Sequence, residues 1–360
     1  MSDNTKTISA ADDAARNAEF ENFKAMSPGR LVTRRFFRSQ LSILGLVTLV
    51  VMFLFSFLGP VIMNAAVGWD EERQTYGYGE TEQFPIPRES EMLTKDNFIG
   101  PDGGSYSFYD RSVSTIGNKA PPSKAHPLGT DVNSMDIFIR LMYGGRMSLF
   151  IAFIVVFLET FLGVVLGSLA GYFGKWVDQL IMRIVDIFIC LPTIPILLIL
   201  SSVLASIESI KPSNRIYYMM AFLTLLGWAG TARLVRGQIL GLREQEYMLA
   251  AEAAGLPAWR RMFIHLLPNV MPQLIVTMTL GLGGVILYES TLSFLNLGVA
   301  FPYAAWGTMI AQADPSKGQE VLAYFPNMWV PPGVMIVMTV LAFNFVGDGL
   351  RDAFDPKSRR

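Results

Sequence analysis

A single cysteine, Cys190, and two histidines, His126 and His265, are all the soft or imidazole ligands this 360-residue chain carries. One cysteine excludes an internal disulfide framework and a cysteine-rich metal site. Two histidines exclude a multi-histidine zinc or iron centre. Charge is also scarce, at 16% of residues, against roughly a quarter in soluble proteins. The 29 basic and 30 acidic residues nearly cancel to −1, so there is no global attraction to nucleic acid. A phosphate loop is missing too: Gly174-Lys175 would need Gly at 169 and Ser or Thr at 176, where Leu169 and Trp176 stand. No serine sits in a nucleophile-elbow context, and the two histidines fall in segments read onto opposite membrane sides, which disfavours a Ser-His enzyme. What the chain has instead is 51% hydrophobic residues and a mean hydropathy of +0.38. Length alone would fit two or three soluble domains, but this composition argues against an ordinary cytosolic enzyme.

The charge is distributed unevenly. Residues 41–64 carry none, and a bilayer core of about 30 Å takes roughly 20 apolar residues in a helix. This run reads as a first transmembrane helix, an uncleaved anchor rather than a signal peptide, because a polar arm precedes it and no small-residue cleavage site follows Met63. Five further spans are expected at about 147–171, 184–206, 217–235, 270–297 and 330–350. The segment before the first span, the segment from Arg233 at the end of the fourth span onward, and the segment after the sixth carry seven, five and four Lys or Arg, which places all three in the cytoplasm. The segment 65–145 has twelve acidic and seven basic residues and falls outside. Both termini are then cytoplasmic. The expected organisation is an N-terminal arm at 1–40, the first span at 41–64, an extracytoplasmic insertion at 65–145, a membrane domain at 146–351 with an inner loop at 237–269, and a tail at 352–360.

The outer segment is long for a connection and rich in aromatics. Residues 98–108 read as two short strands about a Gly-rich turn. The segment is either a small cap or a partly ordered loop. Gly163, Gly167 and Gly171 share one face of the second span and admit a close helix neighbour, as static packing or as a sliding interface. Four acids lie in or beside apolar spans. Asp186 and Asp348 sit near span ends, where water or Arg183 and Arg351 would satisfy them. Glu159 and Glu289 lie deeper and are the candidates for a translocation path, with buried hydrogen bonding as the competing reading.

The inner stretch from Arg243 to Asn269 is the most informative. Glu246 to Ala254 is rich in helix formers, and Gly255 and Pro257 stop that helix. A second short helix, 258–267, is expected to lie outside the bilayer and run up to Pro268. Ala250, Ala251 and Ala254 would admit close docking in a partner's groove, with Arg260 and Arg261 solvated or facing acids. On periodicity alone the element is an amphipathic surface helix.

Ala250-Ala251, Gly255 and Leu267-Pro268 reproduce the spacing of the EAA loop of permease subunits in binding-protein-dependent ABC importers, with Leu249 in place of the motif's Glu. Residues 126–131 (HPLGTD), 143–149 (YGGRMSL), 171–174 (GYFG) with 176–178 (WVD), Trp228 with 233–238 (RLVRGQ), 341–344 (LAFN), 347–352 (GDGLRD) and Asp355-Pro356 resemble the dipeptide/oligopeptide class, and its C-type subunit in particular. The resemblance covers about 30–60 and 125–356 and leaves 65–125 unexplained. It implies an all-α, polytopic protein with six transmembrane helices, the type I permease fold, carrying a small extracytoplasmic insertion.

By that resemblance the chain lies in the cell's inner, cytoplasmic membrane and imports peptides. It is not an enzyme and holds no cofactor: ATP and magnesium belong to two partner ATPase subunits. A second homologous permease completes the pore, an extracytoplasmic binding protein delivers the solute, and membrane lipid surrounds it. Glu246, Tyr247, Ala250, Ala251, Gly255, His265, Leu267 and Pro268 form the ATPase-coupling loop, with Ala251 and Gly255 as docking positions and His265 in a packing or capping role. The insertion is a candidate receiver of the binding protein. Importers of nickel complexes or other solutes share this subunit type. An ion-driven secondary transporter using Glu159 and Glu289, and a membrane-embedded hydrolase, are the rival readings from other classes.

Overall fold

The structure is a computed structural model that describes residues 28–62, 69–70, 75–76, 95–99, 105–109, 119, 121–122, 127–132, 135–207, 210, 214–295, 298–299, 303–313 and 321–355. The far N-terminal arm, His126, the tail beyond 355 and most of 65–125, for which the sequence raised expectations, lie outside these residues. A short helix α1 (Pro28–Phe36) precedes the first span, α2 (Gln40–Ile62). Ser39 caps α2 by accepting from Ser42 N at 3.4 Å, which satisfies one of the orphan donors of a helix start. Two antiparallel pairs follow, β1 (Trp69–Asp70) with β2 (Thr75–Tyr76), and β3 (Lys95–Ile99) with β4 (Ser105–Tyr109). In the second pair Phe98 lies opposite Tyr106, in keeping with the two strands expected there.

The second span, α3 (Ile137–Phe173), is capped by Asp136, whose carboxylate accepts from Ile139 N at 2.8 Å. At 37 residues and 1.5 Å per residue it is about 55 Å long, well beyond the bilayer core. The expected third span is not one straight helix. It is α4 (Lys175–Cys190) and α5 (Thr193–Ser206), bent by 81° at Leu191-Pro192. Leu191 is extended at φ −73°, ψ 129°, because a residue before proline is pushed out of the helical region. The fourth span is α6 (Arg215–Arg243), followed by α7 (Glu246–Ala253).

The fifth span also departs from expectation. Residues 258–267 are not a separate helix ending at Pro268; they open a single run, α8 (Ala258–Phe294). A π-turn at Arg261–Leu266 lets Leu267 N–H reach Met262 O, five residues back. Pro268 has no N–H to give and would crowd a regular preceding turn, and the widened turn accommodates it. Two short helices, α9 (Trp306–Ala311) and α10 (Val321–Tyr324), lead to the last span, α11 (Pro326–Phe354).

Neighbour contacts fix the direction of each helix. Along α3 and α6, Gly163 meets Thr231 and Gly171 meets Ile239, so these helices run the same way and the bent α4–α5 pair crosses back once. On α8, Gly281 faces Val156 of α3, and Glu289 is bonded to Ser148, an antiparallel pairing. Gly45 and Ser42 of α2 meet Ala342 and Gly349 of α11, again antiparallel. Six crossings result, and the first and last helices meet at one end, where Arg35 Nη1 donates to Asp355 O at 3.0 Å. This terminal end also holds the end of α6, α7 and the start of α8, so among the described residues the arginines of those basic segments gather toward it.

The opposite, loop end is closed by a buried knot. Thr130, Asp131, Asp136 and Arg140 are each at most 3% exposed. Asp131 pairs with Arg140 at 3.2 Å, accepts from Met135 N at 2.9 Å, and accepts from Gln312 Nε2 at 3.1 Å. A buried ion pair is tolerable only when further hydrogen bonds surround it, and here they tie the start of α3 to α9. Beside it the fully buried Trp306 donates from Nε1 to Leu141 O at 3.0 Å and packs over Gly144 and Gly145, where a β-carbon at Gly145 would strike the indole at 2.6 Å and one at Gly144 would crowd it at 3.3 Å.

Candidate functional site

The terminal end brings the inner loop together. Eight residues are too few for an isolated helix, so α7 is held by packing. Met248, 3% exposed, joins Val235 and Ile239 of α6 and Leu266, Val270 and Leu274 of α8 in one apolar cluster. Its C-terminus is a Schellman turn. Leu256 N–H reaches Ala251 O at 3.2 Å, Gly255 N–H reaches Glu252 O at 2.9 Å, and Gly255 has φ +72°. Glycine takes that left-handed conformation without the steric cost a β-carbon brings. The chain then reverses through Pro257 directly into α8.

Polar contacts lock the elbow to the ends of three spans. Arg261 pairs with Glu252 at 3.0 Å and lies over the Tyr172 ring, 5.7 Å from its centroid. Arg243 Nη1 donates to Tyr172 O at 2.9 Å, placing a cation at the negative C-terminal end of α3. Asn269 Nδ2 donates to His265 O at 2.7 Å and to Tyr247 Oη at 3.4 Å. Farther up α6, Arg236 grips Asp178 of α4 through two bonds of 2.9 and 2.6 Å, and Arg233 pairs with Asp186. Asp186 thus uses Arg233, not the expected Arg183. Asp348 is exposed and forms no ion pair with Arg351 among the described residues.

The residues expected in the loop divide by exposure. Glu246, Tyr247, Ala250, Gly255 and Pro268 face outward, while His265 and Leu267 are half-buried. Ala251 is buried at 9%. Its side chain takes part in the loop's inner packing and its carbonyl in the Schellman turn. His265 serves its backbone carbonyl to Asn269, in line with a packing role. Sequence reasoning missed the exposed apolar members: Leu249, Trp259, Phe263 and Ile264 are at least half exposed. The signal was present in the apolar residues surrounding Arg260-Arg261.

The glycines of α3 are packed against α6. A β-carbon at Gly167 would stand 2.5 Å from Ala232 O, and one at Gly171 3.0 Å from Arg236 O. The stripe is the intramolecular α3–α6 seam. Glu159 extends it: its carboxylate occupies the space over Gly227 of α6. Glu289 has a different setting from Glu159. It is 2% exposed and accepts from Ser148 Oγ at 2.9 Å and Ser293 Oγ at 2.7 Å, and Ser148 Oγ in turn accepts from Trp306 N at 3.3 Å. The buried, hydrogen-bonded reading fits Glu289, since no surface of the chain reaches its carboxylate.

Residues 163–360 match the model described as binding-protein-dependent transport system inner membrane component. Residues 27–79 match the N-terminal transmembrane domain of oligopeptide transport permease C. The oligopeptide transport system permease protein OppC of Bacillus subtilis is 40% identical over 256 residues, covering 71% of this chain and 80% of that protein. The dipeptide transport system permease protein DppC of the same organism is 36% identical over 264 residues, covering 73% and 78%. A putative peptide permease protein of Brucella suis is 39% identical over 246 residues, covering 68% and 78%.

Proposed function

The chain belongs to the family of binding-protein-dependent transport system inner membrane components, and on that premise we propose that its cargo is a peptide and that residues 243–269 couple transport to ATP hydrolysis in partner subunits. It is a permease subunit of an ABC importer, a multi-pass membrane protein and not an enzyme. Relatives named for oligopeptide and dipeptide transport support the peptide reading. ATPase and binding-protein partners follow from membership. In our reading a homologous second permease completes the pore, two ATPase subunits bind ATP and magnesium beneath it, and the terminal end is cytoplasmic, as the basic residues there favour.

The observation that carries the coupling assignment is the continuity of the elbow with a membrane span. α7 is locked to α8 through Arg261–Glu252 and the shared apolar cluster, and α8 runs unbroken for 37 residues, about 55 Å. When the ATPases close on ATP, a push on Tyr247, Leu249, Ala250 and Gly255 becomes a movement of the whole fifth span. The far part of α8 is bonded to α3 through Glu289 and Ser148, so the motion reaches the pore-forming helices and switches the side to which the path opens. Co-expression with the neighbouring transport subunits tests this. The chain should copurify with ATPase chains and a sister permease and take up peptide only with ATP. ATP-independent uptake by this chain alone under an ion gradient would overturn it.

A further inference from the structure

Helix α1 is attached to the bundle by one side only. Phe36 is buried against Gly349 of α11, Val32 packs on the same core, and Arg35 is spent on Asp355 O. Arg30 and Arg34, four residues apart on the helix, and Arg38 in the turn after it are left outward. Among the described residues none of the three forms an ion pair, including with Asp348, Asp352 or Asp355 of the adjoining α11. Their depth is set by the chain: Arg38 stands three residues before Leu41, where the uncharged run of α2 begins. Below the arginines an apolar strip continues along α2, with Phe37, Leu41, Leu44, Val47 and Val51 all about half exposed. The opposite side of α2, with Ser42, Gly45, Leu49 and Met52, is buried in the bundle. The strip therefore faces the bilayer, and a fixed basic edge lies above it at headgroup level, the arrangement of an interfacial amphipathic element.

A second feature lies farther along α2, on the side toward α11, beyond the place where Phe36 and Ser42 meet Gly349. A groove of about 400 Å³ opens between α2, α8 and α11 with Phe153 of α3 on its wall, and is lined also by Leu46, Val50, Phe53, Leu282 and Phe343. Its one hydroxyl, on Thr279, already donates to Ile275 O at 2.8 Å, so the groove asks for hydrocarbon. Leu46 is eight residues beyond Arg38, about 12 Å along the helix, within the span of one acyl chain.

We propose that Arg30, Arg34 and Arg38 and this groove form a binding site for an anionic phospholipid, with the headgroup on the arginines and one acyl chain between α2, α8 and α11. The site is separate from the elbow, which packs on α3, α6 and α8, so it does not depend on the transport reading.

The test uses the full chain in detergent, titrated with phosphatidylglycerol and with phosphatidylcholine of identical chains and followed by native mass spectrometry. The wild type should favour phosphatidylglycerol. At about fivefold per arginine near a charged surface, the combined R30Q, R34Q and R38Q variant should lose that preference by on the order of a hundredfold. The corresponding triple lysine variant should keep it. V50W, which fills the groove, should weaken both lipids alike and leave their ratio unchanged. An unaltered preference in the triple glutamine variant overturns the proposal. Copurification of the assembled importer is read alongside: a triple glutamine variant that keeps the lipid preference but loses the ATPase chains likewise overturns the proposal and makes the arginines a protein contact.

Discussion

Gly255 has open space where its β-carbon would be and a φ of +72°, so any side chain there strains the backbone without a clash. Gly255→Ala should cost about 1 kcal/mol, whereas Gly255→Asn, which tolerates the left-handed region, should cost less; thermal unfolding in detergent gives the order, and coupled uptake should fall in the same order. The glycines of α3 behave oppositely. Gly167→Ala must displace Ala232 O from 2.5 Å and open the α3–α6 seam, while Gly230→Ala, with nothing within 4 Å, should be neutral or stabilising by up to about 1 kcal/mol of helix propensity. Glu289→Ala would strand the Ser148 and Ser293 hydroxyls in the core and should cost about 1–3 kcal/mol. Equal unfolding midpoints for Glu289→Ala and the wild type would contradict the buried network. At this scale the sequence singled out Gly163, Gly167, Gly171, Gly255 and Glu289 from spacing and from acids among apolar residues, and the structure gives them a helix seam, a left-handed turn and a buried hydrogen-bonded carboxylate. It could not tell that Ala251 faces inward while Ala250 faces out, because that depends on which side of a two-turn helix meets Met248's cluster.

At the scale of elements, two prolines with similar surroundings in sequence have opposite effects. Pro192 follows an extended Leu191 and divides the third span by 81°, whereas Pro268 sits in the first turn after a π-turn and leaves α8 continuous. Hydropathy alone registers an apolar run in both cases; the outcome rests on backbone hydrogen bonding that no composition window senses. The knot of Asp131, Arg140 and Gln312 was likewise hidden, since Gln312 lies far along the chain from the other two. Arg261→Ala separates effects on stability and coupling. Its pair with Glu252, a largely exposed carboxylate, should contribute no more than about 1 kcal/mol to stability. Coupled uptake should nevertheless drop more steeply than thermal stability, because the link between α7 and α8 is what fails. A variant with full uptake and a lowered midpoint would show that the contact is structural alone.

For the whole molecule, the six crossings and the gathering of basic residues at one end were legible from charge and apolar runs, and the antiparallel and parallel helix contacts bear out that topology. Its direction in the membrane is testable with Cys190 replaced by serine. An impermeant maleimide on intact cells should label Tyr324→Cys at the loop end and spare Asp352→Cys at the terminal end; the reverse pattern would invert the orientation. What the sequence left open was how the inner loop connects to the membrane body, and the account rests on that connection: one rigid piece from the elbow through the fifth span. The most direct test inserts two glycines between Leu266 and Leu267 in the assembled importer, breaking α8 while leaving the surface of α7 intact. The account predicts that the ATPase chains still copurify and hydrolyse ATP but that peptide uptake in vesicles is lost. Uptake that remains coupled to ATP at the wild-type rate would contradict it.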